Sequence, residues 1–128
     1  GEMARLMGVT PEDVQSDRRA QANAAALQWK AVVVHKGAGT IVAAPGKKAA
    51  LNLTGNPGMA RGGMGDALAG LIGGLVAQGT PSFEAACLGV YLHGRAGDRV
   101  AWARSQAGMT ASDLIEELAC TFAELTPR

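Results

Sequence analysis

The stretch AVVVHKGAGTIVAAPGKKAALNL, residues 31–53, decides the fold of this 128-residue chain. β-Branched residues occur there in short runs, and Gly-Ala-Gly and Pro-Gly interrupt those runs. β-Branched side chains favour strands, whereas Gly and Pro favour turns. The pattern therefore predicts three short strands, near Ala31–His35, Thr40–Ala44 and Ala49–Leu53, joined by tight turns.

The sequence before these strands has helix signals. EMARLMG, residues 2–8, predicts a short helix, and TPEDVQSDRRAQANAAALQWK, residues 10–30, predicts one longer helix. Thr10 is a typical N-cap residue and Pro11 is typical of a first turn. The residues that recur at helical spacing and are expected to face the core are Val14, Ala22, Ala25 and Trp29.

The sequence from Gly65 onward predicts three helices. The first is GDALAGLIGGLVAQG, the second follows Thr80 as its N-cap, and the third begins with a capping box of Thr110 and Asp113. Three short strands are few for an α/β domain, because sheets usually contain about five or six strands. We therefore expect further strands before Gly1.

Composition indicates one globular domain over residues 1–128. The chain is 48% hydrophobic and 18% charged, and its formal net charge of +1 provides no bulk attraction to nucleic acid or to an anionic membrane. Its longest apolar run, ALAGLIGGLVA, is shorter than the roughly 20 residues of a membrane span. Cys87 and Cys120 lie in apolar helical patterns, which favours two buried reduced thiols and a cytoplasmic location.

The segment NPGMARGGMGDALAG, residues 56–70, is the main candidate site. Gly62, Gly63 and Gly65 allow a ligand to approach backbone N–H groups, and the following helix start adds the positive end of its dipole. This combination can bind phosphate oxygens. Asp66 at the same helix start can accept a proton from a hydroxyl that attacks a phosphoryl group.

A purely structural alternative stays open for these residues. Asp66 can be an N-cap or first-turn residue that only stabilises the helix, and the glycines can serve close helix packing, which is the commoner explanation for an arbitrary glycine-rich turn. Neither a Walker A motif nor a G-x-G-x-x-G fingerprint is present.

HKGAGT, residues 35–40, is a second candidate site at a strand end, although a strand-end lysine such as Lys36 is more often a solvated charge. His35 and His93 have no metal-ligand partner at helical spacing, so both are predicted to be structural. Tyr91 and Trp102 fall in one helical pattern and are predicted to lie in the core or at an interface.

Three segments carry a family resemblance: VVHKGAGTIVAAPG, LNLTGNPGMARGGMGDALAGLIGGLVAQG and EAACLGVYLHGRAGD. In this order they closely resemble the C-terminal half of the ADP/ATP-dependent NAD(P)H-hydrate dehydratases, in the ribokinase-like superfamily. GEMARLMG and ASDLIEEL resemble the ends of that half, so the resemblance covers essentially the whole chain. It implies the C-terminal portion of a three-layer, doubly wound α/β fold, with short strands followed by packed helices.

The resemblance implies repair of hydrated nicotinamide cofactors. The S-hydrate of NADH or NADPH would be phosphorylated by ADP or ATP, with Mg²⁺, and phosphate elimination would restore NAD(P)H. By the same resemblance, Asp66 would contact the hydrate and act as the base. Asn56, Gly62 and Gly63 would form the phosphate loop. The residues implied to bind the adenine nucleotide are Lys36, Gly37, Ala38, Gly39, Thr40 and Gly65.

The resemblance also leaves questions open. The family commonly has a hydrophobic residue at the position of His35 and Thr or Ser at that of Arg61, so Arg61 can either contact phosphate or obstruct the loop. A missing first half would leave this chain as the tail of a larger homo-oligomeric protein, in which an upstream epimerase domain is common. The alternatives are a ribokinase-like small-molecule kinase and an inactive nucleotide-binding or oligomerisation fragment.

Overall fold

The computed structural model describes residues 1–125 and has the predicted α/β class. The chain divides into two compact units, residues 1–52 and the residues from Leu53 onward. No helix among the described residues is both long enough and apolar enough to cross a membrane. The elements of the first unit are α1 (Glu2–Met7), α2 (Pro11–Ser16), α3 (Arg18–Trp29), β1 (Val33–His35), β2 (Thr40–Ala43) and β3 (Ala50–Asn52).

The three predicted strands are present and form an antiparallel sheet in the order β1-β2-β3. Val33 pairs with Ala43, and Ile41 pairs with Leu51. The connections, residues 36–39 and 44–49, are too short for the crossover of a dozen or more residues that parallel strands require. The described strands therefore contribute no parallel pair to the doubly wound sheet that the resemblance implies.

The predicted helix over residues 10–30 is wrong in one respect, because the chain forms two helices there. Thr10 caps α2 in a capping box with Asp13, as expected for its N-cap role. Asp17 then leaves helical geometry, with φ −147° and ψ 80°, and its carboxylate accepts a hydrogen bond from the N–H of Ala20. Asp17 thus ends one helix and caps the next, a role that Asp commonly takes.

The core of the first unit lies between α3 and the sheet. Ala22, Ala25 and Ala26 pack with Val33 and Ile41, and small alanine side chains allow the helix to lie close to the strands. Trp29, expected on the same buried face, is exposed at the end of α3. The prediction of its burial was therefore wrong.

The second unit contains a short 3₁₀ turn (Pro57–Met59) and three helices, α4 (Met64–Ala77), α5 (Ser82–Ala103) and α6 (Ala111–Leu125). α5 packs against both α4 and α6. The five fully or nearly buried residues of its main core are Met64, Ala96, Val100, Met109 and Leu114.

The predicted start of α6 is confirmed, and the predicted start of α5 is wrong. Thr110 and Asp113 exchange the hydrogen bonds of a capping box. Thr80 does not cap α5, whose N-cap position is Pro81 and has no side-chain hydrogen bond. The Thr80 N–H instead bonds to the carbonyl of Leu75 and closes the C-terminus of α4.

The predicted burial of the two cysteines was also wrong. Cys120 is exposed, and Cys87 is only partly buried, although both are free thiols. Tyr91 and Trp102, predicted to lie in the core or at an interface, are both exposed, Trp102 to 93%. The core alternative is therefore wrong, and the interface alternative stays a prediction. A helical pattern places residues on one side of a helix but does not say whether another element covers that side.

Two glycines of α5 allow the segment before α4 to approach the helix backbone. A Cβ atom on Gly94 would lie 2.1 Å from Oγ1 of Thr54 and 2.8 Å from its carbonyl oxygen. A Cβ atom on Gly97 would lie 2.4 Å from Sδ of Met59. The absence of these side chains therefore sets the distance between α5 and residues 54–59.

Gly94→Ala is expected to destabilise the protein by about 1–3 kcal/mol, because overpacking against backbone outweighs the roughly 1 kcal/mol helix-propensity gain of Ala. Gly74→Ala is the control, since a Cβ atom there would meet nothing within 4 Å and the substitution should stabilise α4. Free energies of unfolding in urea measure both changes. Equal stabilisation by the two substitutions would contradict the close approach.

Candidate active site

Asp66 is the third residue of α4 and is exposed to solvent. The N-cap residue of this helix is Gly63, whose φ of 84° lies in the left-handed region that favours glycine. Gly63 has no side chain to cap the helix, and no side-chain hydrogen bond caps α4. Asp66 therefore stands in the first turn of a helix whose N-terminal N–H groups have no capping side chain.

Two other aspartates occupy the same position in their helices and behave differently. Asp13 in α2 and Asp113 in α6 each follow a threonine N-cap and complete a capping box. Hydrogen bonds from these threonines lower the pKa of Asp13 and of Asp113. Among residues 1–125, the Asp66 carboxylate has neither a capping hydrogen bond nor an ion pair. Asp66 is thus not an N-cap residue, whereas its first-turn position agrees with the other form of the structural alternative.

Backbone donors adjoin this carboxylate. The first intrahelical hydrogen bond of α4 runs from the N–H of Ala67 to the carbonyl of Gly63, at 2.9 Å. The preceding N–H groups, those of Met64, Gly65 and Asp66, have no acceptor within the helix. With the helix dipole, they form an arrangement that can stabilise phosphate oxygens.

Gly62 lies just before this helix and is exposed. A Cβ atom there would meet nothing within 4 Å among the described residues. Packing between described residues therefore does not require glycine at this position, whereas close approach of a ligand to the backbone would.

Asn56 and Asp98 hold the beginning of the glycine segment. Asn56 Oδ1 accepts a hydrogen bond from the N–H of Gly58 at 3.0 Å, and its Nδ2 donates to Asp98 Oδ1 at 3.0 Å. Asp98 Oδ2 accepts from the N–H of Gly55 at 2.9 Å. Asp98 was not among the site residues predicted from the sequence, in which it stands between Gly97 and Arg99 without a distinguishing pattern.

Arg61 holds the middle of the same segment. Its Nε donates to the carbonyl of Gly58 at 3.1 Å, and its Nη2 donates to the carbonyls of Gln106 and Ala107 in the α5–α6 connection. Neither alternative considered from the sequence included this use of the guanidinium. Arg61 ties the glycine segment to the connection that precedes α6.

A groove beside Asp66 provides room for a ligand. It runs between α4 and α6 and has a volume of about 550 Å³, within the range of small-molecule sites. Asp66 is its one titratable residue among the described side chains, and the rest of the lining is Gly63, Ala67, Gly70, Leu71, Ala111, Ile115 and Leu118. The groove is therefore apolar with a single carboxylate.

The second candidate segment, residues 35–40, contains a closed turn in the first unit. Thr40 Oγ1 donates to the carbonyl of Gly37 at 3.0 Å and accepts from its N–H at 3.3 Å. Arg18, at the start of α3, donates to the carbonyls of His35 and Lys36 at 3.2 Å and to that of Ala38. Arg18 is a second residue that the sequence analysis missed.

The two histidines are buried, in agreement with structural roles. His93 Nε2 lies 2.8 Å from the carbonyl oxygen of Met64, at the start of α4. Burial lowers the pKa of His35, and the positive charge of Arg18 lowers it further. Among residues 1–125, no group of three or more His, Cys, Asp or Glu side chains is placed to hold a metal ion.

Comparison with known proteins gives consistent results. A family model described as NAD(P)H-hydrate dehydratase matches residues 1–119. The chain is 50% identical over 118 residues to a bifunctional NAD(P)H-hydrate repair enzyme Nnr of Moorella thermoacetica. It is 46% identical over 118 residues to an ADP-dependent (S)-NAD(P)H-hydrate dehydratase of Neisseria meningitidis.

A solved structure gives the same result for the fold. The chain matches the ADP/ATP-dependent NAD(P)H-hydrate dehydratase from Bacillus subtilis, co-crystallised with ATP/Mg²⁺, with a TM-score of 0.93 and 32% identity. The predicted resemblance and the ribokinase-like fold class are confirmed. The matches include 92% of this chain but only 22% and 39% of the two curated relatives, and 98% of this chain but 46% of the solved one.

The lowered pKa of His35 predicts a pH dependence of stability. An unfolded histidine binds its proton near pH 6.5, whereas folded His35 does so only at lower pH. The folded state thus binds fewer protons, and its stability should decrease as the pH falls below about 6.5. Urea unfolding at pH 7 and pH 5 measures this decrease.

His35→Val, which retains a β-branched strand residue, should make the difference in unfolding free energy between pH 7 and pH 5 smaller. His93 remains in both proteins, so the comparison isolates His35. An unchanged difference would show that His35 titrates alike in the folded and unfolded states.

Proposed function

The chain belongs to the NAD(P)H-hydrate dehydratase family, and we propose that its protein catalyses ADP- or ATP-dependent dehydration of the S-form of hydrated NADH or NADPH. One observation carries this proposal. The Asp66 carboxylate takes no part in helix capping and lies beside the N-terminal N–H groups of α4. A carboxylate that serves no helix cap is free to meet a hydroxyl, and the N–H groups are placed to stabilise phosphoryl oxygens.

In the proposed reaction, Asp66 accepts the proton of the hydrate hydroxyl while that oxygen attacks the terminal phosphoryl group of the nucleotide. With ADP, this step releases AMP. Elimination of phosphate then breaks the carbon–oxygen bond, while the neighbouring ring carbon loses a proton and its C–H electron pair forms the double bond of the dihydropyridine. The net products are therefore NAD(P)H, AMP, phosphate and one proton. The backbone donors of residues 62–66 would stabilise the charge that develops on the transferred group.

We propose the following nucleotide contacts. The exposed side chain of Lys36 and the turn closed by Thr40 would bind the adenine nucleotide, with Gly37, Ala38, Gly39 and Gly65. Asn56, Gly62 and Gly63 belong to the proposed phosphate loop. The arginine hydrogen bonds to carbonyls in both segments support this assignment, because they order the backbone before a ligand binds.

Magnesium is proposed to enter with the nucleotide. Mg²⁺ is usually held by one or two carboxylates together with substrate phosphates rather than by an all-protein cage. The described residues, which contain no cluster of three metal-ligating side chains, fit that mode of binding. Mg²⁺ would neutralise charge on the phosphates.

We also propose three features of the whole protein: its domain organisation, its assembly and its cellular location. Residues 1–128 would form the C-terminal part of one dehydratase domain, in keeping with the coverage of the relatives. A homo-oligomer, or a preceding half of the domain, would cover the free sheet edge, since unpaired edge strands attract partners. The two free cysteines support a cytoplasmic location.

The direct test of the function is incubation of the complete protein with NADPH hydrate and ADP. Recovery of the reduced nicotinamide absorbance, with stoichiometric phosphate, is the expected result. A phosphorylated product without that absorbance would identify a small-molecule kinase, and ADP binding without turnover would identify a binding fragment. Either result would contradict the proposal.

Asp66→Asn should lower kcat by about 10²–10⁴-fold, the usual scale for loss of a general base, while ADP affinity changes little. Asp13→Asn is the matched control, because it changes a carboxylate at the same helix position that serves a capping box. Steady-state kinetics and calorimetric ADP titration measure both variants. Near-parental turnover of Asp66→Asn would remove Asp66 from the mechanism.

Gly65→Val should abolish ADP binding, because a β-branched side chain would stand where the nucleotide must approach the backbone. Gly73→Val places the same side chain in the same helix at an exposed position with free space around it. Calorimetric titration of ADP compares the two. If Gly65→Val bound ADP like the parent, the proposed phosphate site would be wrong.

A further inference from the structure

We propose that Asn56 and Asp98 form a positioning pair that sets the phosphate loop, and that the Asn56 side chain itself does not touch the ligand. The inference rests on the proposed nucleotide-dependent function. Asp98, a residue of α5 outside the loop, would then act on the reaction indirectly, by positioning the loop backbone.

The hydrogen bonds of Asn56 are the first support. Its Oδ1 accepts from the N–H of Gly58, which starts the 3₁₀ turn, and its Nδ2 donates to Asp98. Both polar atoms of this amide are therefore already engaged in holding protein groups. A phosphate contact would have to replace one of these bonds or share its donor.

The hydrogen bonds of Asp98 are the second support. Its two carboxylate oxygens accept from different loop groups, the backbone N–H of Gly55 and the side chain of Asn56, at 2.9 and 3.0 Å. Hydrogen bonds to a charged acceptor are stronger than those between neutral groups. One carboxylate on α5 thus fixes two consecutive residues of the loop.

The neighbouring arginines on α5 form their ion pairs with other residues and leave the Asp98 carboxylate for the loop. Its neighbours on α5, Arg95 and Arg99, form ion pairs with Glu117 and Glu124 of α6. Asp98 has no ion pair among the described side chains, so its charge is compensated by the loop donors.

Close packing makes the loop sensitive to this pair. Thr54, just before the loop, donates from Oγ1 to the carbonyl of Tyr91 at 3.1 Å, and the glycines of α5 leave no room for a shift toward the helix. Arg61 binds the carbonyl of Gly58 and so links the Asn56 turn to the residues that lead into α4. A small displacement at Asn56 would therefore move the proposed phosphate donors, and misplacement of about 1 Å can cost about a hundredfold in rate.

The first variant that tests this inference is Asp98→Asn in the complete protein. The new amide preserves size but offers one acceptor to two donors. Depending on its orientation, its NH₂ group faces either the Asn56 Nδ2 donor or the Gly55 N–H. We expect kcat/KM for hydrate and ADP to fall at least tenfold and the Kd for ADP to rise, when measured well below the melting temperature. Arg95→Gln, which removes a charge one turn earlier on α5, should leave both values within about twofold of the parent.

The second variant is the exchange D98N/N56D. A carboxylate at position 56 can accept from the Gly58 N–H and from the new amide at position 98, whose oxygen can accept from the Gly55 N–H. All three hydrogen bonds are thereby restored with the same shapes. Recovery of most of the lost kcat/KM and ADP affinity supports a positioning role. A carboxylate in contact with phosphate would instead weaken binding further, so failure of the exchange to recover activity overturns the inference for Asn56.

Measurements on the parent protein distinguish failure of the proposed function from failure of the positioning inference. If the parent neither binds ADP nor restores NADPH from its hydrate, the proposed function fails. If the parent is active and Asp98→Asn has parental kinetics and ADP affinity, the positioning inference fails while the function stands. A variant that loses thermal stability but keeps parental kcat/KM in its folded fraction also overturns the inference, because it shows a structural role only.

Discussion

The hydrogen bonds that the Asp98 carboxylate accepts from the Gly55 N–H and the Asn56 side chain are the interaction on which the candidate site depends. They join the longest helix of the described chain to the loop that leads into α4. Their geometry requires that loop and helix backbone come close, which Gly94 and Gly97 permit by lacking a Cβ atom. A loop held in this way presents its N–H groups in one arrangement, so less ordering is needed when a ligand binds.

An arginine that binds backbone carbonyl groups occurs at both glycine segments. Arg18 donates to carbonyls of the turn 35–38, and Arg61 donates to carbonyls around its own loop. Glycine-rich backbone loses much conformational entropy on ordering, and a planar guanidinium with several donors offsets part of that loss by binding several carbonyls at once. In each segment, an arginine thus donates hydrogen bonds to backbone carbonyl groups.

The three aspartates at the third position of a helix show how one residue type acquires different roles. Asp13 and Asp113 follow threonine and complete capping boxes, which lower their pKa values. Asp66 follows Gly63, which offers no hydroxyl, and so retains an uncommitted carboxylate. The identity of the N-cap residue, three positions earlier in the chain, distinguishes a structural carboxylate from one that can serve chemistry.

The sequence alone determined the secondary structure class, the three short strands, the capping boxes at Thr10 and Thr110, and the glycine loop with Asp66, because these depend on residues close together in the chain. It did not reveal the helix break at Asp17, where a local capping bond overrode a continuous helical pattern. Only the tertiary structure decided the exposure of Trp102 and Cys120, since helical spacing does not say which faces are covered. It likewise decided the roles of Arg18, Arg61 and Asp98. Apart from Gly58, a local partner of Arg61, their partners lie 17 to 46 positions away and are brought near by packing that no local pattern encodes.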